Sequence, residues 1–93
     1  PAQELLVTQP GKDNSEYYVT AAKSDEGDIA LVYAPENTQI TLNLSALSQS
    51  LRMTWIDTRT GQRQMAQGHG GTHAKTFVVP KGEDWLLELR EQP

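Results

Sequence analysis

Twelve acids, two histidines, two tryptophans and three tyrosines are the side chains in this 93-residue sequence with the most chemical potential. A glycosidase-type site needs two Asp or Glu carboxyls facing each other across a cleft. Asp25, Glu26, Asp28, Glu36, Glu83 and Asp84 all fall in stretches that read as turns, where charged groups are mostly solvated. A domain this thin also leaves little room for an enclosed cleft. His69 and His73 stand four apart, the spacing that puts two metal ligands on one face of a helix. Gly70, Gly71 and Thr72 between them will not hold a helix, and no cysteine or nearby carboxylate completes a ligand set. Serine and histidine are both present, but nothing marks one as an activated nucleophile. Nucleophile-elbow, phosphate-loop and dinucleotide signatures are missing from the sequence. The expectation is a chain with no catalytic residues, no metal and no cofactor.

The aromatics suggest a different chemistry, stacking on sugar rings. Trp55 and Trp85, joined by Tyr17, Tyr18 and Tyr33, could form such a platform. Each tryptophan, however, stands in phase with apolar strand residues: Met53 with Trp55, and Leu87 and Leu89 with Trp85. In-phase aromatics belong to a core, where an indole contributes a large apolar area. Asp57-Thr58-Arg59-Thr60-Gly61 invites a binding-loop reading, yet the same residues suit a tight turn. Asp at the start accepts backbone N–H bonds, Gly at the end takes a left-handed conformation, and Arg59 points outward or pairs with a carboxylate. If this chain contacts a ligand or another domain, Trp55, Asp57, Arg59 and Trp85 are the candidate residues. Asn43-Leu44-Ser45 fits a glycosylation sequon, a triplet common by chance.

The elements that would position these residues are strands. Candidates run over 4–8, 17–23, 29–34, 39–44, 51–56, 62–67, 74–79 and 84–90, separated by turn-rich segments. Residues 29–34 are apolar on both faces and read as a central strand covered on both sides. Residues 39–44 alternate, with Ile40, Leu42 and Leu44 inward. Ser45 could cap one short helical turn. Residues 62–67 read as a polar edge strand with Met65 as its main apolar contact. Residues 68–72 read as the most flexible loop. Roughly seven or eight short strands with regular turns predict a small antiparallel β-sandwich.

Composition sets outer bounds. Ninety-three residues make one domain, and 37% hydrophobic with 22% charged is ordinary for a globular chain. Net charge is −4 and the eight basic residues are scattered, which argues against a nucleic-acid partner. No run reaches membrane-spanning length. With no cysteine, the fold has no disulfides and no thiolate chemistry. The sequence opens at Pro1 without Met or signal peptide, the expectation for a piece of a longer protein.

An ordered set of motifs carries a resemblance. Asp28-Ile29-Ala30-Leu31-Val32-Tyr33-Ala34-Pro35, Ile40-Thr41-Leu42-Asn43-Leu44-Ser45 and Trp55-Ile56-Asp57-Thr58-Arg59-Thr60-Gly61 come in turn. The set closes with Phe77-Val78-Val79-Pro80 and Asp84-Trp85-Leu86-Leu87-Glu88-Leu89. Across residues 17–90 the chain resembles the bacterial family described as "putative collagen-binding domain of a collagenase". Thr58 stands where the family usually has Pro, and Asn43 where it usually has Asp. The resemblance implies a β-sandwich like the C-terminal domains of glycosidases, without catalytic residues. It also implies a place after an N-terminal glycosidase-like barrel of the same chain, in an extracellular or periplasmic setting. Two functions follow as expectations. One is an accessory domain that packs on that barrel through an apolar face. The other is a module that binds collagen or polysaccharide through exposed aromatics. Solvent exposure of Trp55 and Trp85 separates them.

Overall fold

The computed structural model describes residues 20–26, 28–35, 39–45, 47, 50–70 and 74–92. The expected strand over 4–8, together with Tyr17, Tyr18 and His73, lies outside them. The strands are β1 (Thr20–Lys23), β2 (Ile29–Ala34), β3 (Gln39–Asn43), β4 (Leu51–Asp57), β5 (Arg63–Met65), β6 (Gly68–Gly70), β7 (Ala74–Val78) and β8 (Trp85–Glu91). One sheet has the order β1-β2-β8-β4-β5 and the other β3-β7-β6, with every pairing antiparallel. The expected all-β sandwich is what forms.

Period-two alternation explains which side chains make the core. On the larger sheet Ala21, Val32, Leu87 and Trp55 share one row across the strands, and Ala30, Leu89 and Met53 share the next. Ile40, Leu42 and Phe77 come from the smaller sheet and join the same buried cluster. Phe77, Ile40, Leu42, Leu87, Leu89 and Val32 are fully buried, each contributing about 1.5–3 kcal/mol of apolar transfer. Leu44 sits just past β3, half-buried against that cluster. On the other face of β3–β7, Thr41 and Thr76 stand opposite each other and share a 2.9 Å hydroxyl hydrogen bond.

Three expectations need correction. β2 is covered on one side only. Its burial alternates and Leu31 is 38% exposed, because a two-sheet sandwich has a single inner face per sheet. Met65 does not anchor β5. It is 87% exposed, and Ala66 is the buried residue of that segment. Residues 68–70 are a strand paired with β7. Gly68 lies against the Phe77 ring so closely that a Cβ there would stand 2.8 Å from Cζ. The glycine that suggested mobility is required by packing. Ser45 would cap a helical turn that runs through residues 46 and 48, outside the described residues. Its N–H donates to Asn43 Oδ1 at 3.0 Å, and Leu47 N–H returns to Leu44 O at 3.0 Å, forming a turn.

Candidate functional site

The richest polar constellation gathers at one end of the larger sheet, where Ala34, Trp85 and Asp57 align across β2, β8 and β4. The turn after β4 forms as its residue types dictate. Gly61 N–H donates to Asp57 O at 2.7 Å, Arg59 N–H donates to Asp57 Oδ1 at 2.9 Å, and Gly61 takes φ 79°. Arg59 Nε lies 3.8 Å from the same carboxylate oxygen. Arg59 is exposed, so this pair contributes little to stability.

Asp84 ties three elements together. Its N–H donates to Pro35 O at 2.7 Å, and its own carbonyl accepts from Thr58 Oγ1 at 2.7 Å and from Thr58 N–H at 3.3 Å. Its side chain accepts the Tyr33 hydroxyl proton. It takes φ 60°, a left-handed conformation that Asp tolerates better than most residues. Grouping Asp84 with the solvated turn acids is therefore corrected: it is half-buried and bonded.

Donating to a carboxylate raises the Tyr33 phenol above its ordinary 10.0, with burial and the charges of Asp84 and Glu83 adding to the effect. A phenol whose pKa is higher folded than unfolded stabilises the fold fully below the unfolded value. That contribution is lost as pH climbs through the folded value. Urea titrations should therefore show stability falling above pH 10, and Tyr33→Phe should flatten this fall. At neutral pH the same variant should cost about 1 kcal/mol.

Both indoles are interior. Trp55 is 2% exposed and Trp85 7%, as their phase with apolar neighbours predicts. Their rings meet edge to face, centroids 6.4 Å apart at 80°, an arrangement worth about 0.5–1.5 kcal/mol beyond burial. Of the four candidate contact residues, the fold brings Arg59 and Trp85 together around Gly82. The position a Gly82 Cβ would occupy lies 3.4 Å from Arg59 Nη2 and 3.4 Å from Trp85 Nε1. That Trp85 N–H is buried with no hydrogen-bond partner among the described residues.

The outer face of the larger sheet is the second exposed feature. Arg52 and Arg90 stand opposite each other, and Thr54 faces both Glu88 and Met65. Glu88 meets Arg63 at 3.3 Å and Arg90 at 3.5 Å. The basic residues scattered along the sequence are thus partly gathered by register, three of them on one face. Leu31 joins that face, with half-buried Ile29, Tyr33, Ile56 and Leu86 in neighbouring rows. An open hollow of about 260 Å³ lies among Arg52, Met53, Thr54, Arg63, Gln64 and Met65, smaller than typical small-molecule sites.

His69 is exposed on β6. No group of His, Asp or Glu that could hold a metal occurs among the described residues. Asn43 is exposed, its side-chain oxygen engaged by Ser45 N–H. Tyr33–Asp84 and the Gly82 notch escaped the sequence reading, because strand pairing is what joins residues 51 positions apart.

A comparison with curated proteins finds no match. A family model matches residues 1–90, and its description is of a binding domain. The two-sheet sandwich and the ordered strand motifs agree with that match, and the chain belongs to the family described as "putative collagen-binding domain of a collagenase".

Proposed function

We propose that this chain is the non-catalytic accessory domain of an extracellular, glycoside-hydrolase-like protein, a single sandwich that gives its parent a collagen-binding surface. The interior position of both indoles carries the reading. It deprives a sugar-stacking platform of its rings, while the binding role in the family description is untouched. The acids at the sandwich end support it too. Asp57 and Asp84 are spent on backbone and Tyr33 hydrogen bonds, not on facing each other across a cleft. Co-sedimentation with fibrillar collagen tests it. Saturable binding at micromolar domain is expected, and a domain left wholly in the supernatant at high micromolar concentration overturns the collagen role.

The outer sheet face favours a second reading, docking against an N-terminal glycosidase-like barrel of the same protein. Rows of half-buried aliphatics edged by arginines suit an interdomain contact. Adding the parent barrel in trans should shift the Met65 methyl resonance and leave the indole signal of interior Trp55 in place. Leu31→Asp should abolish the shift. Spectra unchanged by the barrel contradict docking through this face.

A further inference from the structure

We propose that Arg59, Gly82 and Trp85 form a two-donor notch that receives a main-chain carbonyl oxygen from a polyproline-type strand of the bound partner. The inference rests on the collagen reading above and names the group on the partner that the domain grips.

The starting observation is an unmet hydrogen bond. Trp85 is 7% exposed and its Nε1 is buried with no acceptor among the described residues. A buried donor without a partner is costly, and native structures retain few of them. The N–H lies beside the bare backbone of Gly82. Only two atoms, Arg59 Nη2 and Trp85 Nε1, come within 4 Å of where a Cβ would sit, leaving aside the residues adjacent to Gly82 and counting the described residues. Both are donors. The Arg59 side chain is 56% exposed, so this wall can swing aside to admit a ligand atom.

Charge decides the type of acceptor. Asp57 already lies beside Arg59, and Glu83 and Asp84 flank the notch in sequence. A carboxylate or phosphate entering here would meet three acids, Asp57, Glu83 and Asp84, against two cations, Arg59 and Lys81, so the surroundings are negative on balance. A neutral oxygen is not repelled, and it can accept from both nitrogens at once. Ordinary strands and helices spend their carbonyls on their own ladders. A polyproline-type helix has no internal hydrogen bonds and keeps its backbone oxygens solvated, so it can present one to a shallow notch on the rim of a domain.

The test is a titration of the 93-residue domain with a triple-helical Gly-Pro-Hyp peptide, followed in nitrogen–proton spectra. Two tryptophans give two indole signals, assigned by Trp85→Phe. Peptide should move the Trp85 indole proton downfield and slow its exchange, while the Trp55 signal stays in place. Arg59→Met removes the second donor at an exposed position that the fold does not need. It should weaken binding roughly tenfold, as for a hydrogen bond from a charged group. Binding that leaves the Trp85 indole unmoved and is indifferent to Arg59→Met overturns the notch and spares the collagen reading. No binding at high micromolar peptide overturns that reading and the notch with it.

Discussion

Trp55→Ala is expected to remove about 3–5 kcal/mol of the stability of this domain. The side chain is 2% exposed, sits between Met53 and Leu87 in the inner rows of the larger sheet, and meets Trp85 edge to face. Truncating a buried tryptophan costs about 3–5 kcal/mol from lost transfer energy and the cavity left behind. Small domains hold about 5–15 kcal/mol in total, and this chain has no disulfide to limit the unfolded state. Urea unfolding followed by circular dichroism should show the midpoint falling by about a fifth or more. A shift worth less than about 1 kcal/mol, the scale of a surface substitution, would mean that the ring is not part of the core.

Phe77→Ala should be comparably damaging, about 3–5 kcal/mol, because Phe77 is fully buried and is the largest side chain of the smaller sheet's inner face. Its coupling to Gly68 makes the prediction sharper. In the native domain a Cβ on Gly68 would stand 2.8 Å from Phe77 Cζ, 3.0 Å from Cε2 and 3.1 Å from Lys75 Cβ. Gly68→Ala alone should therefore destabilise by about 1–3 kcal/mol through overpacking. With the ring gone, only the 3.1 Å approach to Lys75 Cβ is left, so in a Phe77→Ala background the same change should cost much less. A double-mutant cycle reads this difference as a coupling energy. Strict additivity would show that the ring and the glycine are not in contact.

The pair also marks how far the sequence could be read. Alternation from Gln39 to Asn43 and the in-phase tryptophans announce strands and an inner face. Asp57 through Gly61 announces a turn that the hydrogen bonds then make. These signals are local, so a single sequence carries them. Gly68-His69-Gly70 looks like a mobile loop because glycine density is a local cue, whereas the reason for Gly68 is a ring nine residues away on the paired strand. Met65 looks like an anchor because it is apolar, yet β5 is the last strand of its sheet and leaves it in solvent. The gathering of Arg52, Arg63 and Arg90, the Tyr33–Asp84 bond and the Gly82 notch all depend on which strands pair and in what register. That order, with β8 inserted between β2 and β4, is a property of the whole fold, and no motif spells it out.

Both indoles are interior, which leaves the rim and the sheet face, and not an aromatic platform, as the surfaces of the proposed binding. Acrylamide quenching of tryptophan emission in the native domain tests their burial most directly. Blue-shifted emission and a quenching constant several-fold below that of the urea-unfolded chain, unchanged by soluble oligosaccharides, are expected. Red-shifted emission quenched as readily as in the unfolded chain, with sugars protecting it, would contradict the account.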